Sequence, residues 1–160
     1  MELRSILLFQ NPITDRTQAD VDRAKALREK PWVQMSPNEK SEWLTDLKGC
    51  LNYSDLARIE NNIHLISEVL ELDLPTYDGN IPDVPTESYW SNLLSNVSII
   101  REGYSNFDKT PKVPVAPINT YQKLNDIEKI LEDVYTMLTS NFFYESIDQI
   151  QMGDEIGLIL

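Results

Sequence analysis

Cys50 and His64 are the only cysteine and the only histidine in the chain, so the side chains most often used as nucleophile, general base or metal ligand each stand alone. No Ser/His/Asp or Cys/His arrangement can be assembled from them. Glu60 and Glu68 lie one helical turn to either side of His64, which reads as a surface imidazole between carboxylates. Cys50 can form no internal disulfide and reads as a free, structural thiol. Carboxylates are abundant, 26 acidic residues in 160, so pairs at helical spacing such as Glu128 and Glu132 arise from composition. A di-metal helical site would need Glu-x-x-His pairs, which the chain lacks. Asp78-Gly79-Asn80 with Asp83 gathers oxygen ligands in a loop but has neither the alternating acidic ladder nor the closing glutamate of a calcium loop. The glycines, at 49, 79, 103, 153 and 157, never cluster into a phosphate-binding loop. These patterns assign no catalytic, cofactor-binding or metal residue, and the expectation is a protein that is not an enzyme.

The formal charge of −12 repels phosphate backbones and acidic lipid, which argues against nucleic-acid binding. The apolar run Ile6-Leu7-Leu8-Phe9 is far shorter than a membrane span and lacks the basic flank and long core of a signal peptide, so neither membrane insertion nor general export is expected. At this length one domain is the default, with enough chain to bury a core unaided.

What must position the side chains is helical. The phrase Leu56-x-x-Ile59-Glu60-x-x-Ile63-x-x-Ile66-x-x-x-Leu70 returns as Leu124-x-x-Ile127-Glu128-x-x-Leu131-x-x-Val134-x-x-x-Leu138. Steps of three and four lay each set along one stripe that other helices must cover. Thr17-x-x-Asp20 caps a short helix that packs through Val21, Ala24 and Leu27 and ends before Pro31. Ser36-Pro37-Asn38-Glu39 combines a hydroxyl cap, a proline at the first helical position and a glutamate three residues on, predicting a helix over 37–48 closed by Gly49. The next helix starts between Asn52 and Ser54, runs to about Leu72, and is expected to pair with the preceding one as a hairpin.

Pro75, Gly79, Pro82 and Pro85 make 73–85 an irregular linker. Thr86 caps a helix with Trp90, Leu93, Leu94, Val97, Ile100 and Tyr104 on one face. Pro111, Pro114 and Pro117 recur at the polyproline II period, and the last helix runs from Asn119 or Thr120 to about Ser140. The expected architecture is mainly α: two antiparallel helical hairpins plus a short N-terminal helix in one bundle, with strand-like terminal segments. Within the single domain 1–160, residues 1–13 form an arm, 17–72 a first helical unit, 73–85 the linker, 86–140 a second hairpin and 141–160 a tail. Trp43 and Trp90 belong to apolar helix faces, whereas Trp32 lies outside any helix. Trp32 joins the apolar terminal residues Ile6, Leu7, Leu8, Phe9, Ile156, Leu158, Ile159 and Leu160 as a candidate protein interface.

Three segments carry a resemblance: Thr14-Asp15-Arg16-Thr17-Gln18-Ala19-Asp20-Val21, then Trp43 to Glu60 with its Leu51-Asn52-Tyr53-Ser54-Asp55-Leu56 core, and Thr120 to Leu131. With Asp83-x-Pro85-Thr86, Leu94-Ser95-Asn96-Val97 and the three-proline connector, they resemble a family encoded by tailed bacteriophages and prophages of Gram-positive bacteria, over residues 13 to 145. The resemblance implies a virion structural role at the tail, baseplate or tail fibre, in symmetric assembly with other tail proteins, in a chain made in the host bacterial cytoplasm. An assembly chaperone or adaptor that leaves before maturation is the alternative it allows. Glu145 to Leu160, Cys50 and Ala57 depart from the family pattern.

Overall fold

The computed structural model describes the backbone of residues 8–157 and the side chains of 8–141. The expected mainly helical bundle is present: α1 (Gln18–Glu29), a single 3-10 turn (Trp32–Gln34), α2 (Pro37–Trp43), α3 (Tyr53–Leu70), α4 (Glu87–Gly103) and α5 (Tyr121–Gly157). No strand occurs among the described residues.

Local signals set the helix starts. Thr17 accepts a hydrogen bond from the Asp20 N–H while the Asp20 carboxylate accepts one from the Thr17 N–H, and Ser36 and Glu39 repeat this reciprocal box at α2. The Asn52 N–H donates to Asp55 Oδ2 at the head of α3, and Thr86 Oγ1 accepts from the Tyr89 N–H at the head of α4.

The two copies of the stripe meet in one core. Leu56, Ile59, Ile63 and Ile66 of α3 and Leu124, Ile127, Ile130, Leu131 and Val134 of α5 are buried together with Trp90, Leu93, Val97 and Ile100 of α4. Ile59 and Ile127, at matching positions of the phrase, are both fully buried. Short α1 adds Ala24 and Leu27, while Val21 is only half-buried.

The helix directions correct the expected antiparallel hairpins. Asp55 of α3 shares Arg16 with Glu128 of α5, whereas Asn62, two turns further along α3, binds Gln10, whose neighbour Phe9 stacks on Tyr135 two turns further along α5. α3 and α5 therefore run the same way. Between α3 and α4, Glu60 lies level with Tyr89, and Leu72, just past the end of α3, lies against Gly103 at the end of α4. Tyr104, after α4, reaches Asn141 far along α5 through its hydroxyl. All three long helices are thus parallel.

The connectors make this possible. The 71–86 segment returns along the bundle, placing Tyr77 on His64 and Thr76 on Asn96. The proline-bearing 104–120 segment retraces α5, with Thr110 Oγ1 donating to Asp133 and Lys123 Nζ donating to the Val115 and Pro117 carbonyls. At about 3 Å per residue an extended connector of this length outreaches α4, which spans about 26 Å at 1.5 Å per residue. The arm from Leu8 to Arg16 is a third extended strap, running against the direction of α3 and α5.

The first expected hairpin also changes. α2 stops at Trp43 and buries no residue, so it is not a packing partner for α3. Gly49 does not cap it: a Cβ at Gly49 would collide with the Asp20 carbonyl oxygen, so this glycine serves a close backbone approach of the 44–52 loop to α1. A left-handed helix end is found instead at Glu71, at φ 54°, which ends α3. At the C-terminus, 141–157 continues α5 instead of leaving it as a strand-like tail, so Ile156 is helical. Residues 1–7 and 158–160, including Ile6, Leu7, Leu8's preceding neighbours and Leu158, Ile159 and Leu160, lie outside the described residues.

Candidate interaction surface and a buried charge cluster

Four charged side chains converge where the arm crosses α3 and α5. Arg16, placed by the arm one residue before the α1 cap, donates to Asp55 Oδ1 at 2.8 Å and Glu128 Oε1 at 2.7 Å. Arg58, one turn after Asp55, donates to the same two oxygens at 2.6 and 2.7 Å and through Nε to Glu128 Oε2. Two guanidiniums face two carboxylates, and the cluster is electrically neutral. It is also dry: the Arg16, Asp55 and Glu128 side chains are 1–3 % exposed and Arg58 11 %.

Around the charges the arm is tied by its backbone. The Ile13 N–H donates to Glu128 Oε2 at 2.8 Å, and Asn125 Nδ2 donates to the Arg16 carbonyl at 2.9 Å. Burial pulls the Asp55 carboxyl upward, but Arg58, the Asn52 N–H and Arg16 together hold it below the usual aspartate value. Burial opposes the charged form of Arg58 as well, and Glu128 and Asp55 outweigh it, keeping the guanidinium firmly protonated. A third buried carboxylate, Asp133, receives Thr110 from the connector and Lys129 at 2.8 Å from its own helix. These buried charges fix the straps to the helices.

Residues 14–21, 43–60 and 120–131 supply this cluster: Arg16 comes from the first, Asp55 and Arg58 from the second, Asn125 and Glu128 from the third. In the sequence Glu128 is one of many carboxylates, and no spacing brings it together with Arg16, Asp55 and Arg58. The available signal was the arginine in an otherwise polar run before the Thr17 cap.

The candidate interface residues separate. Leu8 is 65 % exposed, whereas Phe9 is half-buried and stacks on Tyr135 at 3.9 Å between ring centroids. Phe9 therefore belongs to the strap's own anchorage. Trp32 is 46 % exposed on the 3-10 turn, with Lys40 Nζ 5.4 Å from its ring centre, and Val33 beside it is 84 % exposed. Trp90 is buried as expected, but Trp43 is only half-buried and lines a groove with Val21, Cys50 and Leu51 between α1 and the 44–52 loop. His64 pairs at 3.4 Å with Glu68, as read from sequence, and stacks on Tyr77, while Glu60 turns inward instead of flanking it.

No protein-family model, curated protein or solved structure matches the chain.

Proposed function

We propose that the protein is a non-enzymatic structural component of a tailed-phage virion, at the tail, baseplate or tail fibre, where it docks to other tail proteins. The observation that carries the reading is the convergence of the three resemblance-bearing segments on one buried, neutral charge cluster. Such residues serve to hold two of the parallel helices, α3 and α5, and the strap in one arrangement, which is what a docking block requires. Exposed Leu8, Trp32 and Val33 offer apolar contacts outside the core, and the terminal runs 1–7 and 158–160 are further candidates for the same role. Mass spectrometry of particles purified from an induced lysogen tests the proposal. The chain should be present at a stoichiometry that is a multiple of the tail symmetry and should cross-link to other tail proteins. Abundance in the infected cell with absence from finished particles would overturn it and favour an assembly factor.

A further inference from the structure

Four carboxyl side chains are buried among the described residues, and three have a cation: Asp55 and Glu128 have Arg16 and Arg58, and Asp133 has Lys129. The fourth, Glu60, is 8 % exposed and has no ion pair among the described residues. It lines a cavity of about 290 Å³ between α3, the 71–86 connector and the start of α4, whose walls contain no lysine or arginine among the described residues. The Tyr89 hydroxyl beside it is buried and makes no hydrogen bond of full geometry, although it stands close enough to act on the ionisation of Glu60. Asp78, exposed on the connector, adds a second negative charge to the wall. Burial pushes the Glu60 carboxyl up, with Tyr89 acting against the shift and Asp78 with it, and burial and Glu60 push the Tyr89 phenol up.

A desolvated carboxylate, a phenol with an unused lone pair and no internal counter-charge together complement one kind of guest. We propose that this cavity is a binding site for an organic cation, a primary ammonium or guanidinium group, with Glu60 as its counter-ion and the Tyr89 hydroxyl as a neutral acceptor. The group would enter past Asp78, lose its water to Glu60, and lay its aliphatic stem along Ile81 and Leu93. A free amine and a lysine or arginine side chain of another protein present the same chemistry. The site does not depend on the virion role, and its failure would leave that proposal standing.

The test is a titration of the full chain with butylammonium chloride, followed by the side-chain carboxyl carbon resonances. The Glu60 signal should move saturably, and the Tyr89 ring resonances, recorded in the same titration, should follow. Butanol, which has the stem without the charge, should give no saturable shift. Glu60→Gln keeps the shape and should weaken butylammonium binding at least about tenfold, and Tyr89→Phe by a smaller factor. Nα-acetyl-lysine amide and Nα-acetyl-arginine amide binding as well as butylammonium would assign the site to a partner's side chain. Stronger binding of putrescine would assign it to a free amine. The proposal is overturned if the wild-type Glu60 resonance stays still, if butanol binds equally, or if Glu60→Gln, shown folded by circular dichroism, binds unchanged.

Discussion

Replacing Arg16 with methionine tests whether the arm is held by its buried charge. The substitution keeps an unbranched stem but removes the donor to Asp55 and Glu128, whose side chains are at most 3 % exposed. Leaving a buried charge without its partner costs about 3–5 kcal/mol. Arg58 remains bound to both carboxylates, so the loss should sit at the lower end, about 3 kcal/mol, a large part of the 5–15 kcal/mol typical of a whole domain. Urea melts at neutral pH give the total. Hydrogen exchange locates it: the Ile13 and Arg16 amides, which donate to Glu128 and Asn125, should lose protection before the interior of α4 does. Pairing the change with Glu128→Gln should show coupling of about 1–3 kcal/mol between the two sites. A loss below about 1 kcal/mol, or two effects that simply add, would refute the view that this cluster pins the arm.

Truncating the paired stripe residues, Ile59→Ala or Ile127→Ala, should each cost about 2–5 kcal/mol in denaturant melts, whereas Lys25→Ala, at an exposed position of α1, should stay within about half a kcal/mol. Gly49→Ala would drive a methyl into the α1 backbone and should cost about 1–3 kcal/mol with loss of exchange protection at the start of α1; unchanged melting would show that the loop yields freely. Glu71→Gly should raise stability by about 0.5–1 kcal/mol by relieving the left-handed conformation, while Glu71→Ala should not. Because Asp55 is held below its ordinary 3.8, its contribution is present above that pH and is lost as the pH falls through the lower folded value; Asp55→Asn should flatten this part of an acid titration of stability.

Helix starts were legible because the signal is local: a hydroxyl or amide and an acidic residue three positions on satisfy the first-turn N–H groups wherever the helix lies. The stripe was legible because burial follows periodicity. The direction of packing was not. A connector of proline and glycine announces a break, but only its length set against the helices distinguishes a turn-back from a run home, and 104–120 suits either until Thr110 is seen on Asp133. The 37–48 helix was overextended because Gly49 looks like a helix terminator, and its actual neighbour, the Asp20 carbonyl, is nearly thirty positions away in sequence. Glu60 was hidden for the same reason. It repeats the Ile-Glu pair of Glu128, but one glutamate faces two arginines and the other faces a tyrosine, a difference made by the arm and the connector.

The common direction of α3, α4 and α5 gives the molecule a property that alternating helices would cancel. Each helix carries about half a positive charge at its amino end and half a negative one at its carboxyl end. Here the amino ends of Tyr53, Glu87 and Tyr121 share one pole, so the partial charges add to about one and a half at that pole. Superimposed on a net charge of −12, this makes the body a vector instead of a uniformly acidic rod. Two such bodies repel least when the head of one meets the tail of the next, an orientational preference that acts at close approach and fades as salt is added.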